Sequence, residues 1–221
     1  MQRVITSIEQ QKKNPDRVNV FLNDQFVFGL HKYVACTLKV GDILDDSRIR
    51  MLEHENKIEE AFQKALKLLS FRPRTEYEMR SRLEKYGFTT SIIEDVIKRL
   101  GEKEYIDDQK FAEEWAENRS TFRPRGRRLL ERELRLKNVG DEQIQSVLDD
   151  LPDEIELARV AAKKYGSKLK GLDEVNFKKK LYGFLTRRGF LYEDIKPVME
   201  EMWEESGKLN LLENEVINDE W

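Results

Sequence analysis

Phe71-Arg72-Pro73-Arg74 recurs as Phe122-Arg123-Pro124-Arg125, and the copy carries a whole helical pattern with it. Sliding the sequence by the spacing of the two tetrapeptides lays Leu83 on Leu134, Phe88 on Val139, Ile93 on Ile144, Val96 on Val147 and Leu100 on Leu151. A second slide reaches Leu185, Phe190, Ile195, Val198 and Met202. Self-similarity at a period of about 50 residues marks stacked supersecondary units, none of which buries its apolar face alone. Function is therefore expected on a surface that several repeats share.

Working outward from the first tetrapeptide, Thr75 with Glu78 makes a capping box, and Met79, Leu83 and Tyr86 form an inner stripe until Gly87 stops the helix. Thr90 or Ser91 opens another helix carrying Ile93, Val96, Ile97 and Leu100. Upstream, Ile49, Leu52, Ile58, Phe62, Ala65, Leu66 and Leu69 keep helical spacing up to Ser70, as one long helix or two. Each repeat thus reads as helix, turn, helix, turn, helix. The second places Phe111, Ala112, Trp115 and Ala116 on its first helix, Leu130 and Leu134 on its second, and Ile144 and Val147 on its third. Gly126 stands at the capping position of Thr75, which glycine tolerates. The third turns Ala158, Ala161, Ala162 and Tyr165 inward, then continues through Leu181 to Met202 after a longer Gly166 to Gly171 linker.

Residues 3–30 alternate instead. Val4, Thr6 and Ile8 share one face, then Val18, Val20 and Leu22, then Phe26, Phe28 and Leu30, with turn chemistry at Lys12–Asp16 and Asn23–Gln25. The pattern predicts a three-stranded antiparallel meander. Its apolar face needs a lid, for which Tyr33–Leu38, ended by Gly41, is a candidate short helix. The domains expected are a β-rich piece over 1–44, a long helix with the first repeat over 45–106, the second repeat over 107–152, the third over 153–205, and a loosely held acidic tail over 206–221. The fold class is mostly α, with three tandem three-helix repeats after a small β-meander.

Of the 221 residues, 38% are charged, well above the usual quarter, so much of the surface is charge. The net charge of -3 hides segregation. Arg119, Arg123, Arg125, Arg127, Arg128, Arg132, Arg135 and Lys137 are offset only by Glu131 and Glu133, whereas residues from Glu200 onward are strongly acidic. Such asymmetry points to a polyanionic or acidic partner for the middle of the chain. Cys36 is the one cysteine, excluding an intrachain disulfide, and with only His31 and His54 beside it a Cys/His zinc site is not expected. The start has no apolar run of signal-peptide length and no stretch approaches membrane-spanning length, so a soluble, cytoplasmic protein is expected.

Phe71 and Phe122 read as core anchors where the chain enters the second helix, and the prolines stiffen that corner. The arginines beside them are not required by a turn. Their heads lie near a helix N-terminus, where the macrodipole disfavours a cation by up to about 1 kcal/mol, a cost that an outside anion would offset. Arg123 and Arg125 are expected to point to solvent. Arg128, Arg132 and Arg135 fall at i, i+4 and i+7, hence on one stripe, and Lys178, Lys179, Lys180, Arg187 and Arg188 put further cations on the corresponding helix of the third repeat. A solvated charged face explains each helix taken singly. Recurrence on equivalent helices favours a longer surface for phosphates or carboxylates. Trp115, Phe122 and Tyr105 are read as core rather than base-stacking platforms. Asp107 and Asp108 are read as a helix N-cap rather than metal ligands. No phosphate-cradling glycine loop or nucleophile–base set is visible, so neither catalysis nor a cofactor is expected.

The arrangement resembles the RecX family of bacterial regulators of the RecA recombinase. The matching residues are Tyr105-Ile106-Asp107-Asp108 followed by Phe111-Ala112, then Arg119, Gly126, Leu134-Arg135-Leu136-Lys137 and Val139, with Tyr86-Gly87-Phe88 closing the preceding helix; the likeness covers about Glu59 to Glu205. Where the family pattern usually has glycine before Val139, Asn138 stands here, and asparagine also tolerates the left-handed conformation. The resemblance implies an elongated, curved array of three repeats lying in the groove of the recombinase filament on DNA and limiting its activity in recombination, DNA repair and the SOS response. The partners expected are the RecA filament and, through the basic surface, single- or double-stranded DNA, with the free chain a monomer. The contact candidates are Arg72, Arg74, Arg119, Arg123, Arg125, Arg127, Arg128, Arg132, Arg135, Lys137, Lys179, Arg187 and Arg188. A direct DNA or RNA binder with no recombinase partner is the alternative. A peptide adaptor would need an apolar groove where charged positions are expected.

Overall fold

A computed structural model describes the backbone of residues 3–218 and the side chains of residues 3–206, in two compact units, Met1–Asp107 and Asp108–Trp221.

The first unit begins with strands β1 (Arg3–Gln11), β2 (Asn14–Leu22) and β3 (Gln25–His31). A fourth strand, β4 (Ile43–Leu44), follows helix α1 (Lys32–Ala35) and pairs with β1, so the sheet has the order β3-β2-β1-β4, all antiparallel. The expected meander therefore gains an edge strand. Two register irregularities also shift the expected faces. One, between Ile5 and Ser7 of β1, buries Ile5 completely and leaves Val4 40% exposed; the other, between Val20 and Phe21, leaves Phe26 58% exposed against Phe21. A bulge adds one residue to one strand and so reverses the alternation beyond it. The lid is chiefly α2 (Asp46–Leu69), with α1 adding Ala35.

Helix α2 is single and continuous, opened by Asp45, whose carboxylate accepts from the Arg48 N–H at 2.7 Å. Its first half sends Ile49 and Leu52 into the sheet core, and its second half sends Ala61, Phe62 and Ala65 into a core with α3 (Glu76–Lys85) and α4 (Thr90–Glu102). Between the two cores lie the buried polar residues Asn56 and Glu59. Asn56 accepts the His31 N–H at 2.7 Å and Glu59 pairs with Arg99 at 2.6 Å, which meets the requirement that buried polar groups be bonded.

The second unit holds α5 (Asp108–Thr121), α6 (Arg127–Leu136) and α7 (Asp141–Asp149) around Phe111, Ala112, Leu130, Leu134, Ile144 and Val147. It continues with α8 (Glu154–Gly166), α9 (Glu174–Arg187) and α10 (Tyr192–Asn218) around Leu157, Ala161, Phe177, Leu181, Leu185, Ile195 and Val198. Each fully buried leucine contributes on the order of 1.5–3 kcal/mol. The middle helix of every repeat ends in the same way. Gly87, Asn138 and Gly189 adopt φ of 84°, 57° and 89°, and the next residue donates its N–H back to Leu83, Leu134 and Leu185 at 3.3, 3.2 and 3.3 Å. This is the Schellman closure, and Asn138 enters the left-handed region in glycine's place. Helix α10 is continuous to Asn218, through most of the segment expected as a loose tail. The acidic side chains beyond Ser206 lie outside the described residues.

Phe71 and Phe122 correct the expectation of core anchors, being 73% and 68% exposed. Each lies six residues past a buried alanine, Ala65 or Ala116, which is the wrong side of a 3.6-residue period, and the helix has ended by then. In the second repeat Pro124, not Phe122, is buried at the corner. Tyr105, also read as core, is 51% exposed.

Candidate functional site

Helix α6 faces two ways. Leu130 and Leu134 are buried on the inner stripe, while Arg128, Arg132 and Arg135 are exposed together on the outer one. With Glu131 and Leu136 they line an open groove of about 400 Å³. Arg135 is held by Glu131 at 3.0 Å and Asp141 at 3.4 Å, whereas Arg128 and Arg132 have no ion pair among the described residues. On α9, Lys179 and Arg187 are likewise exposed and without an ion pair among the described residues; Lys178 is taken up by Glu174.

A second group of cations surrounds Glu133. Its carboxylate accepts from the Trp115 indole N–H at 2.9 Å and from Arg119 Nε at 3.0 Å, and it also pairs with Arg125. Arg119 and Lys137 lie over the Trp115 ring, 4.3 and 5.1 Å from its centroid. Repeat one has the same pair of positions with ring and cation exchanged: Lys64 lies 5.0 Å from the Tyr86 ring. Trp115 is thus part packing and part electrostatics, since an aromatic face attracts cations.

Arg188 closes this group from the third repeat. Its carbonyl accepts the Gly126 N–H at 2.9 Å, its guanidinium donates to the Pro124 carbonyl at 3.0 Å, and it stacks 4.5 Å from the Phe184 ring centroid. Burial, followed by the nearby charges of Arg119, Arg188 and Arg123, holds Arg125 below the usual guanidinium value. Burial and then Arg123 do the same to Arg188.

Arg127 is committed elsewhere. Its backbone N–H and guanidinium both bond Glu154, at 3.0 and 2.9 Å, and its remaining donors reach the carbonyls of Leu148, Leu151 and Pro152 at 3.3, 2.8 and 2.9 Å. Burial pushes the Glu154 carboxyl up, against the pull of those Arg127 bonds. In the first unit Arg72 is bonded bidentately by Glu78 at 2.8 and 3.2 Å, and Arg74 turns back to the Leu68 carbonyl at 3.3 Å. Of the four arginines in the two tetrapeptides, Arg123 alone is exposed with no ion pair among the described residues; Arg125 is turned inward, against expectation.

Sequence reasoning singles out the cations and names Glu131 and Glu133 as offsetting them, but not which cation each carboxylate takes up. Glu154 and the Lys164 ammonium, which bonds the carbonyls of Thr121 and Phe122, lie on α8 at separations no local pattern reveals. No group of three metal-ligating side chains occurs among the described residues, and none of their helices is long and apolar enough to cross a membrane.

Comparison with known proteins gives these features a common setting. Family models match in order: the RecX regulatory protein N-terminal domain over residues 3–45, and the first, second and third RecX three-helix domains over 61–100, 107–148 and 153–199. The regulatory protein RecX of Bacillus licheniformis is 32% identical over 201 residues, covering 89% of this chain and 76% of that protein. That of Clostridium tetani is 31% identical over 204 residues, covering 90% and 94%. A crystal structure of regulatory protein RecX superposes with a TM-score of 0.72 at 24% identity, over 90% of this chain and 99% of that one. RecX from Lactobacillus salivarius gives a TM-score of 0.58 at 22% identity, over 67% and 97%; both likenesses concern the fold. With four consecutive domain matches and relatives alike over most of its length, this chain belongs to the RecX family of regulatory proteins.

Proposed function

We propose that the chain attaches to the RecA–DNA nucleoprotein filament and restrains the recombinase, acting by binding rather than by catalysis, as a monomer in the cytoplasm. The observation that carries this reading is the set of exposed cations that have no ion pair among the described residues, Arg123, Arg128 and Arg132 in the second repeat and Lys179 and Arg187 in the third. An exposed charge pair contributes under about 1 kcal/mol. Contacts joined on rigid helices compound, because the first raises the effective concentration of the next, by about 10²- to 10⁴-fold in overall avidity. A filament offers a periodic surface on which such an array gains most. Within this reading Arg128, Arg132, Arg135, Lys179 and Arg187 meet the filament, and Arg127 supports the fold. The test is RecA-driven strand exchange with increasing amounts of the chain. Inhibition that is lost on Arg128→Glu with Arg132→Glu supports the proposal, and strand exchange unaffected by the wild-type chain contradicts it.

Direct nucleic-acid binding without a recombinase is the second reading, favoured by the arginines crowded around a single carboxylate at Glu133. Salt separates the two. Phosphate-dominated binding weakens with a log–log slope close to the number of phosphates neutralised, whereas a protein face responds less steeply.

A further inference from the structure

The Phe-Arg-Pro-Arg turn of the second repeat combines three features that packing does not explain. Phe122 is 68% exposed, yet its backbone is held, its N–H bonded to the Asn118 carbonyl at 3.1 Å and its own carbonyl accepting from Lys164 at 3.4 Å. The turn that follows carries Arg123 and Arg125, Arg119 precedes it at the end of α5, and the Arg188 guanidinium reaches the turn from the end of α9 at the Pro124 carbonyl. Among the described residues the one carboxylate bonded to any of them is Glu133, whose side chain is only 14% exposed and is taken up by Arg119, Arg125 and Trp115. Arg123, nearest the ring in sequence, is exposed with no ion pair among the described residues. After burial, the charges of Arg119, Arg188 and Arg123 act on Arg125, and that of Arg123 on Arg188. Like charges packed together and partly desolvated are costly until a polyanion joins them.

We infer that this turn is a binding point for single-stranded nucleic acid, with Phe122 stacking on an unpaired base while Arg123 and Arg188 take the flanking phosphates. Guanidinium forks fit phosphate and carboxylate alike, so the cluster by itself does not choose between a strand and an acidic protein face. The ring chooses. An exposed aromatic side chain next in the chain to a free cation is the pairing that sequence-tolerant single-strand binders use, because every base has a π-face and every linkage a charge. A duplex hides its base faces, which leaves the single strand. The first repeat supplies the contrast: Phe71 is as exposed, but Arg72, the counterpart of Arg123, is occupied bidentately by Glu78. This deepens the proposed function by naming what the turn touches, and rests on it only in identifying the strand as the filament's.

The test is fluorescence anisotropy of a labelled oligothymidylate with the full chain and no recombinase. Phe122→Ala should weaken binding by about 5- to 100-fold, the range for loss of one stacked base, while Phe122→Trp retains it. Arg123→Gln should lower the salt slope by about 0.7. Phe71→Ala should change affinity by less than about twofold, as an exposed substitution away from the site. An abasic strand should bind weakly and be indifferent to Phe122→Ala. Affinity unmoved by Phe122→Ala, or reduced equally by Phe71→Ala, would overturn the inference, and polyglutamate binding as tightly as the strand would assign the cluster to an acidic protein face. Filament capture that persists while oligonucleotide binding is independent of Phe122 sinks this inference alone. Phe122-dependent binding without filament capture sinks the proposed function and leaves this one standing.

Discussion

Gly126 and Gly189 meet with their backbones almost in contact: a Cβ on Gly126 would lie 2.6 Å from the Gly189 carbonyl oxygen, and a Cβ on Gly189 would overlap Leu129. The capping glycine of α6 and the left-handed glycine closing α9 thus form one joint, sealed by the Gly126 N–H to Arg188 carbonyl bond of 2.9 Å. This joint holds Arg188 beside Arg125, so Arg188 joins the arginine cluster only when the second and third repeats are docked.

The joint should be intolerant of a single methyl group. Gly126→Ala is expected to destabilise the protein by about 1–3 kcal/mol as overpacking against backbone. Gly189→Ala meets the same obstruction and adds about 1–2 kcal/mol for an L-residue at its φ of 89°. Gly101→Ala, in a helix with nothing within 4 Å of the added carbon, should be neutral or stabilising by up to about 1 kcal/mol. Chemical denaturation of the three variants checks the ordering. A Gly126→Ala protein as stable as wild type would mean the repeats are not packed in this way.

Much of the repeat was legible because core positions tolerate little besides apolar residues: Leu83, Leu134 and Leu185 are all fully buried at their predicted stations. The bulges in the sheet were not, since the extra residues, Thr6 in β1 and Val27 in β3, leave no mark in the alternation until the register is known. Residue type placed Phe71 and Phe122 in the core and geometry removed them. Gly126 was read as a cap, which it is, but a cap did not explain why serine or threonine was absent. A glycine at 126 together with one at 189 was the available sign of a close approach. The concentration of arginines is visible in the sequence, whereas their division into paired and unpaired depends on where Glu133 and Glu154 are placed, which only the tertiary fold delivers.

Arg127 should behave as a stabilising residue. Truncating its side chain leaves Glu154 with the backbone N–H of residue 127 alone and takes a donor from each of the carbonyls of Leu148, Leu151 and Pro152. Breaking a buried pair costs about 3–5 kcal/mol, and because the Arg127 side chain is 35% exposed we expect Arg127→Ala to cost about 2–3 kcal/mol. Arg128→Ala, one residue on and fully outside this network, should stay within about 0.5 kcal/mol of wild type. Thermal unfolding of both distinguishes the roles; equal melting temperatures would contradict the division.

Acid should unload the Glu59–Arg99 pair. Burial raises the Glu59 carboxyl, but hydrogen bonds from Gln63 and Arg99 and the Arg99 charge outweigh it and leave the group below its ordinary 4.5. A carboxyl depressed by folding contributes stability that is fully present above the unfolded value and is lost as pH falls through the folded one. Glu59→Gln should therefore be less stable than wild type by about 1–3 kcal/mol at neutral pH, the two converging below pH 4.5. Unfolding free energies measured across that range test the sign, and a gap that widens in acid would reverse it.

The central claim is that the assembled filament, more than its parts, is what this chain recognises. Capture of the purified full-length chain by immobilised RecA alone, single-stranded DNA alone and the assembled RecA–DNA filament measures it directly, at one salt concentration and matched amounts of bait. The account predicts substantially greater capture by the filament than by either component, falling when Arg128 and Arg132 are changed to glutamate. Capture by DNA alone equal to capture by the filament, or no capture by any of the three, would contradict it.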